Sequence, residues 1–402
     1  MKIVFLVGHY YPTPMANGVC VEKIAHEFFK HNYEVHVISF GNKADNTTIY
    51  NNGTTIHRIN QSLYRRIHSK QKHDRFYLFR KILLFTIKAF LFFAYPLTSF
   101  AEVRRYVKEC GKIVNQNERC IIVCTFNPLE ATVAGMKLMK KYKTCFFVNY
   151  FLDTLSNEGG SGTLNAKTRF RKGLRWENKI FNAFSLNLIL KCHESYYDSN
   201  LFGRYCSKIR FIDVPLYSDI QNEVDTIPRT ITYAGALSKK TRNPEYACRL
   251  LPLLYPGYSI DFYGRGDCDD IIERYSNLTN NQIKKILYLP HDEMIQKISS
   301  SEILLSIGNN NSSMVPSKIF EYISTGKKII HFFYTSSDPS IQYLEKYNNA
   351  ILVDMSLSLE ENLKILKNNP LLFDERTINK SAFFENDPLY TFEIIANGFC
   401  NS

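Results

Sequence analysis

Residues 2–40 read KIVFLVGHYYPTPMANGVCVEKIAHEFFKHNYEVHVISF, and this stretch decides the fold. The apolar run Ile3–Val7 has the length of a strand, Val21–Phe29 has helical periodicity, and Val35–Phe40 is a second strand. A loop rich in Gly, Pro and Tyr separates the first strand from the helix. Strands that are apolar on both faces are typical of a parallel sheet covered by helices, so the stretch predicts a β-α-β unit.

The same alternation continues along the 402 residues, which suffice for two domains. It restarts with a strand at Ile231–Ala234, a loop at Gly235–Arg242 and a helix at Pro244–Leu254. Further strands are predicted at Thr55–Ile59, Cys120–Thr125, Thr144–Tyr150, Ser259–Tyr263, Lys285–Leu289 and Ile303–Ile307, and near Ile351–Val353. The fold class is therefore α/β, with two Rossmann-like doubly wound domains facing a central cleft where both sheets present their carboxyl ends to ligands.

The domain boundaries follow from composition. Residues 213–228 form the linker, because this stretch is polar, contains two prolines and shows no periodicity. The first domain is then 1–212 and the second is 229–375. A helical segment at 376–402 closes the chain and returns towards the first domain.

Charge and cysteine usage limit the possible partners. Fifty Lys and Arg against 38 Asp and Glu give a formal net charge of +12, which favours anionic partners. Nucleic acid is disfavoured because the basic residues flank an apolar helix rather than forming a reader motif. The ten cysteines include no Cys-x-x-Cys pair and are interpreted as buried thiols in a reducing compartment. The apolar run before Gly8 is too short for a signal peptide, so we expect a cytoplasmic protein.

The segment Pro316-Ser317-Lys318-Ile319-Phe320-Glu321-Tyr322 is the most informative motif for chemistry. Pro316 suits the first position of a helix and Gly326 the position after its end, so an exposed helix N-terminus is available to an anion. Lys318 can neutralise a diphosphate, and Glu321, one turn away, can accept hydrogen bonds from ribose hydroxyls. The alternative is an ordinary surface ion pair between these two side chains.

This motif, together with His9-Tyr10-Tyr11-Pro12 before Asn17-Gly18, and Tyr233-Ala234-Gly235-Ala236-Leu237, resembles family 4 of the retaining glycosyltransferases. The similarity is greatest to bacterial members that build surface polysaccharides of the capsule, O-antigen or exopolysaccharide. The resemblance implies the GT-B fold, an acceptor-side first domain and a second domain that binds a nucleotide diphosphate sugar. It also implies transfer with retention and no required metal or other cofactor.

The resemblance also assigns residues. Glu321 matches the second glutamate of the family's paired motif, which binds the donor ribose, whereas Ser313 replaces the first and leaves sugar contacts to the loop Asn309–Ser313. Ala236 stands at the usual arginine position. We expect Arg242, which precedes a helix start, to replace that arginine as the main cation for the diphosphate.

The remaining candidates come from loops. Asp153, after the strand ending at Tyr150, either orients the acceptor hydroxyl or caps a helix. Arg265, between two glycines in a predicted turn, either stacks on the base or is solvated. The complete set is Asp153, Arg242 and Lys318 for catalysis, and Asn17, Gly18, Gly235, Lys240, Arg265, Ser317 and Glu321 for donor binding. No metal-chelating Asp-x-Asp is present, and Asp269-Asp270 is a weak substitute.

An insertion near residues 63–108 departs from the Rossmann pattern. Its basic arm, which includes Arg65 and Arg66, precedes the apolar and aromatic run Ile82–Leu97, which is too short to span a bilayer and carries Lys88. The composition predicts peripheral docking on the anionic inner face of the cell membrane, and hence a polyprenyl-diphosphate-linked saccharide as acceptor. The alternative is a core helix with a basic loop.

Three other functions are considered. A nucleotide-sugar epimerase can share the fold. A non-catalytic, sugar-nucleotide-binding partner of a polysaccharide assembly complex is suggested by Ser313. A nicotinamide-dependent oxidoreductase would need Gly-x-Gly-x-x-Gly after the first strand, where this chain has Gly8-His9-Tyr10-Tyr11-Pro12 instead.

Overall fold

A computed structural model describes residues 1–12, 14–41, 47–49, 53–68, 95–156, 165–199, 201–218, 224–287, 289–310, 318–369 and 379–402. The chain forms two compact units. Unit 1 comprises Met1–Pro215 and Pro388–Ser402, and unit 2 comprises Leu216–Asp387. The boundary between the units falls at residues 215 and 216, and the chain re-enters unit 1 at Pro388.

Unit 1 contains one eight-stranded sheet. Its strands are β1 (Lys2–Leu6), β2 (Glu34–Gly41), β3 (Thr47–Ile49), β4 (Thr55–Asn60), β5 (Ile121–Thr125), β6 (Phe146–Phe151), β7 (Leu186–Leu190) and β8 (Ile209–Ile212). Within the described ranges, its helices up to the boundary are α1 (Ala16–Lys30), α2 (Leu63–His68), α3 (Phe100–Ile113), α4 (Leu129–Leu138), α5 (Ala166–Ala183) and α6 (Glu194–Tyr197), with 3-10 turns at Lys191–His193 and Gly203–Lys208. The strand order is β3-β4-β2-β1-β5-β6-β7-β8, and all pairs are parallel except β3 with β4.

Unit 2 contains a six-stranded parallel sheet. Its strands are β9 (Ile227–Leu237), β10 (Ser259–Gly266), β11 (Ile283–Ile286), β12 (Ser301–Ile307), β13 (Lys328–Phe333) and β14 (Ala350–Asp354). Its helices are α7 (Glu245–Leu254), α8 (Asp269–Leu278), α9 (His291–Ser300), α10 (Lys318–Thr325), α11 (Ser340–Tyr347) and α12 (Leu359–Lys367), followed by a 3-10 segment at Lys380–Asn386. The order β11-β10-β9-β12-β13-β14 is that of a doubly wound sheet. The predicted α/β, doubly wound class is confirmed for both units.

The last helix, α13 (Pro388–Cys400), belongs to unit 1 and packs on α1. Phe392 contacts Phe28 edge-on, with 4.7 Å between ring centroids, and stacks on His31 at 4.1 Å. Arg119, just before β5, donates to the Phe399 carbonyl at 3.0 Å and lies over the Phe399 ring. These aromatic contacts hold the C-terminal segment against the N-terminal sheet.

The predicted turn at residues 264–266 is wrong. These residues belong to β10, which stays paired with β9 as far as Gly266 opposite Leu237. A Cβ at Gly264 would lie 2.8 Å from the Gly235 oxygen, and one at Gly266 would lie 1.9 Å from the Leu237 oxygen. Gly266 also has φ +148°, which side chains rarely adopt. The two glycines therefore let the strands approach each other, and this pairing replaces the turn.

The cysteines are all free, as expected. Six of them are buried, but Cys206 and Cys400 are exposed, which corrects the expectation that every thiol is in the core.

Arg65, which was predicted to belong to the basic membrane arm, pairs within the domain instead. Its guanidinium pairs with Glu102 and with Glu130, each at 2.9 Å, and these carboxylates are 0% and 1% exposed. Glu130 also accepts from the backbone N–H groups of Thr98 and Ser99. Because two buried acids must be neutralised, Arg65 is an internal clamp and is not available to lipid.

This clamp holds both ends of the predicted insertion, whose residues 69–94 lie outside the part of the chain that the structure describes. That gap includes Lys70, Lys72, Arg75, Arg80, Lys81 and most of the run Ile82–Leu97. In the described ranges, no helix combines the length and apolarity required to cross a membrane.

Arg65→Ala should lower the free energy of unfolding by about 3–5 kcal/mol, because it leaves two buried carboxylates without a counter-charge. Urea denaturation monitored by circular dichroism measures the loss. Arg104→Ala, which removes an exposed cation from the neighbouring α3, is the matched control and should change stability by less than about 0.5 kcal/mol. Equal stability of the two variants would show that the clamp is not structural.

Candidate functional site

Each sheet has one point where the strand order reverses, between β1 and β5 in unit 1 and between β9 and β12 in unit 2. Loops leaving neighbouring strands diverge there, which opens a crevice at the carboxyl edge of the sheet. The candidates Gly235, Lys240, Arg242 and Glu321 belong to unit 2, whereas Asn17, Gly18 and Asp153 belong to unit 1.

Arg242 lies at the switch point of unit 2. Its guanidinium donates to the Asn309 Oδ1 at 2.8 Å, after β12, and to the Ala236 carbonyl at 3.3 Å, near the end of β9. The backbone of Asn310 donates to the Thr241 carbonyl at 3.0 Å, and its side chain donates to the Lys240 carbonyl at 2.6 Å. Arg242 and Asn310 thus join the two loops across the crevice.

The Arg242 guanidinium can form a further hydrogen bond after these contacts. Its Nε is buried and makes no hydrogen bond to any residue within the described ranges. A buried donor without a partner costs about 1–3 kcal/mol, so an acceptor for this N–H would stabilise the site. An oxyanion is the acceptor that a guanidinium prefers.

The two lysines before Arg242 differ in their surroundings. Lys239 is exposed and pairs with Asp270 at 2.7 Å, and this hydrogen bond raises the pKa of the ammonium group. Its backbone N–H donates to Asp267. Lys240 is exposed. The acidic neighbours of Lys239 leave Arg242 and Lys240 as the cations of this loop that an anionic ligand meets first.

Helix α10 carries Lys318 and Glu321, which form an ion pair with each other. This is the arrangement considered as the alternative to a ligand-binding pair. The helix is anchored to β9 by Tyr322, whose buried hydroxyl accepts from the Ala234 N–H at 2.7 Å. It ends at Thr325, and Gly326 directly after it has φ +74°. Ser317, Ser313 and most of the loop Asn309–Ser313 lie outside the described residues.

Gly235 and Arg265 occupy neighbouring strands at the same edge. Gly235 pairs with Gly264, and Arg265, which is exposed, pairs in register with Ala236. The backbone register therefore places Arg265 one strand away from the Ala236 carbonyl that Arg242 contacts.

A buried polar network under this edge was missed by the sequence analysis. His331 on β13 bonds to Ser306 on β12 at 2.9 Å and to Asp338 at 3.3 Å. Burial alone would raise the pKa of Asp338, but the hydrogen bond and charge of His331 and the N–H of Ser340 hold it below its usual value. The Asp338 carboxylate fills the space that a Cβ on Gly308 would need, so it supports the start of the loop after β12. No short motif marks such a network, because its members come from three elements.

At the carboxyl edge of unit 1, Gly18 packs tightly in the first turn of α1, where a Cβ would lie 2.1 Å from the His9 oxygen. Asn17 beside it is half-buried. Burial, and then the charge of Arg65, lower the pKa of the His9 imidazole, which touches Phe40 edge-on. Asp153 follows β6 and is half-exposed, and no helix begins at Thr154, so the capping alternative does not apply.

Within the described ranges, no group of three or more His, Cys, Asp or Glu side chains is placed to hold a metal ion. Asp269 and Asp270 pair instead with Lys285 and Lys239.

Comparison with known proteins identifies the architecture. No protein-family model and no curated protein matches the sequence. Solved structures do match it over nearly its whole length. The E. coli trehalose-6-phosphate protein bound with UDP-2-fluoro glucose has a TM-score of 0.56 at 10% identity and covers 99% of both chains.

Two further solved structures match nearly the whole chain. A TarM mutant from S. aureus, in complex with Fondaparinux, alpha-GlcNAc-glycerol and UDP, gives a TM-score of 0.57 at 10% identity over 100% of this chain and 99% of that one. WaaG, a glycosyltransferase involved in lipopolysaccharide biosynthesis, gives 0.52 at 10% identity over 98% and 99%. The chain has the GT-B fold. Unit 1 is its N-terminal domain, and unit 2 is its C-terminal domain.

The Asp338 network gives the GT-B C-terminal domain a specific pH dependence. Folding lowers the pKa of Asp338, so its contribution to stability is present above the unfolded pKa and is lost as the pH falls through the folded value. Asp338→Asn should therefore reduce stability by about 1–3 kcal/mol at neutral pH. Urea denaturation at a series of pH values should show the difference from wild type shrinking only as the pH falls below the ordinary pKa of an aspartate, about 3.9.

The exposed carboxylate Asp225 supplies the control for this titration. Asp225→Asn should leave the wild-type pH profile intact. A constant difference between Asp338→Asn and wild type at every pH would contradict the role assigned to the ionised carboxylate.

Proposed function

We propose that this protein is a glycosyltransferase that takes a hexosyl group from a nucleotide diphosphate sugar bound by its C-terminal domain. The observation that carries the proposal is Arg242, whose guanidinium spans the switch point with a buried, unpaired Nε among the described residues. Other proteins with this fold have been solved with UDP-2-fluoro glucose, UDP and ADP. The diphosphate is the group that these ligands share and that Arg242 suits best.

Lys318 and Glu321 complete the proposed donor site. Lys318 engages the Oε2 atom of Glu321, so Oε1 is the oxygen that can accept a ribose hydroxyl. The lysine side chain is 26% exposed, and a pair of this kind contributes only about 0–1 kcal/mol. A diphosphate can therefore draw the ammonium group towards itself without a large cost. The backbone at Gly235, the side chains of Lys240, Arg265 and Ser317, and Asn17 and Gly18 of the N-terminal domain are the other proposed donor contacts.

The proposed reaction retains the anomeric configuration, as the resemblance to family 4 implies. The acceptor oxygen attacks the anomeric carbon from the face that the diphosphate leaves, the bond between that carbon and the phosphate oxygen breaks, and the acceptor proton moves to the departing phosphate. Arg242 and Lys318 stabilise the charge that develops on the diphosphate. Asp153 orients the acceptor hydroxyl. No metal or other cofactor is required in this scheme.

The proposed acceptor is a saccharide, linked to polyprenyl diphosphate, that is extended in the synthesis of a bacterial capsule, O-antigen or exopolysaccharide. A peripheral position on the inner face of the cell membrane fits the net charge of +12 and the basic, aromatic sequence of the insertion after Arg66. A non-catalytic sugar-nucleotide-binding role is the second candidate, because Ser313 replaces the family's first glutamate. Release of nucleotide diphosphate in the presence of acceptor separates the two roles.

Arg242→Gln should weaken binding of every nucleotide diphosphate sugar by about tenfold or more, because one charge-assisted hydrogen bond contributes about 1.5–3 kcal/mol. Thermal shift with a panel of UDP, GDP and ADP sugars, followed by calorimetry, measures the affinity of wild type and variant for each donor. Lys239→Gln removes a cation three residues earlier that already has Asp270 as partner, and should leave affinity nearly unchanged. If only one donor of the panel were affected, or if both variants were equally impaired, the assignment of Arg242 to the diphosphate would be wrong.

Glu321→Ala should remove discrimination against 2′-deoxyribose. The wild type should bind the preferred nucleotide diphosphate about tenfold more tightly than its 2′-deoxy analogue, since a hydrogen bond to a carboxylate contributes about 1.5–3 kcal/mol. The variant should bind both nucleotides equally weakly. Calorimetry with the two nucleotides checks this, and a variant that keeps the wild-type preference would disprove the ribose contact.

A further inference from the structure

Helix α5 of the N-terminal domain carries a continuous stripe of positive charge. Lys167, Arg171, Arg175 and Lys179 follow one another at intervals of four residues, and all four are exposed. Residues four apart lie on one face of a helix, so the stripe extends along the axis for about 18 Å. The buried residues of α5, which are Gly173, Glu177, Ile180 and Phe181, occupy the opposite face.

The stripe is not neutralised by the helix that carries it. Glu177 is the only acid on α5, and it is 0% exposed. Its carboxylate accepts from the N–H groups of Leu155 and Ser156 and from the Tyr197 hydroxyl, all within the domain core. Like charges at intervals of four residues repel each other and destabilise a helix. An external anionic surface would convert this repulsion into attraction.

Two further cations lie near the C-terminal end of the stripe, and aromatic side chains flank it. Arg204 and Lys208 lie on the 3-10 turn Gly203–Lys208. They bond to Asn178 and Asn182 near the C-terminal end of α5. The Lys179 ammonium group lies 5.0 Å from the Trp176 ring centroid, and the Phe170 side chain is 38% exposed. Lysine and arginine beside exposed aromatic rings are typical of surfaces that meet the headgroup region of a bilayer.

We infer that the α5 stripe, defined by Lys167, Arg171, Arg175 and Lys179, docks the protein onto the anionic headgroups of a lipid bilayer. The contact is electrostatic, since the apolar face of α5 is buried in the domain and only the cationic face is free to approach the membrane. The inference deepens the proposed function, because a lipid-linked acceptor requires the enzyme to reach the membrane surface. Membrane docking does not require catalysis, so the docking inference and the proposed function can be disproved separately.

The test is sedimentation of the full chain with vesicles of phosphatidylcholine, with or without phosphatidylglycerol. Wild type should bind the anionic vesicles only, and added salt should release it. Replacing all four stripe residues by Gln should lower the vesicle partition coefficient by about a thousandfold at low ionic strength. Replacing four exposed cations of the C-terminal domain, Arg249, Lys346, Lys364 and Lys367, makes the same change in net charge and should leave most of the binding intact.

Two additional measurements test whether charge alone matters and whether donor binding is unaffected. The double variant Lys167→Arg and Lys179→Arg keeps the charge and should bind vesicles as wild type does. Thermal shift with a nucleotide sugar should be unchanged in the Gln variant, which separates docking from donor binding. Wild-type affinity of the Gln variant for anionic vesicles would overturn the inference, as would equal binding of wild type to neutral vesicles. A stripe-dependent affinity for single-stranded RNA that vesicles do not displace would also overturn it, in favour of a nucleic-acid partner.

Discussion

The reversal of strand order between β9 and β12 is the constraint on which the rest of the C-terminal domain depends. Parallel strands covered by helices on both faces must send their connections in opposite directions at one place, and the loops part there. Arg242 crosses that gap by bonding to Ala236 on one side and Asn309 on the other. Arg242 therefore joins the two loops and also places its positive charge at the edge where open sheets bind anions.

Buried charge supports the edges of both domains. In the N-terminal domain Arg65 neutralises Glu102 and Glu130 beneath the loop that carries His9, and in the C-terminal domain His331 pairs with Asp338 beneath Gly308. Desolvating such groups is costly, and each network is retained only because every carboxylate finds donors. Both networks therefore place satisfied, buried charges under the loops that leave the two sheets.

Much of the fold could be predicted from the sequence, because continuous apolar runs such as Ile3–Val7 indicate buried parallel strands. The predicted turn at Gly264–Gly266 was wrong because whether two glycines bend or pair depends on the neighbouring backbone of Leu237. Arg65 was misplaced because its partners lie 37 and 65 residues away. The α5 stripe is visible in the sequence as a spacing of four, but only the structure shows that Glu177, the one acid of α5, is buried away from it.

The central claim is that the C-terminal switch point binds the diphosphate of a nucleotide sugar. Hydrogen–deuterium exchange of the full chain, with and without a saturating nucleotide sugar, tests it most directly because it locates the ligand without altering a residue. The account predicts slower exchange in the peptides that cover 235–242, 308–310 and 318–325, with no change at α5. Protection confined to the N-terminal domain, with these three segments unaffected by a ligand that binds, would contradict it.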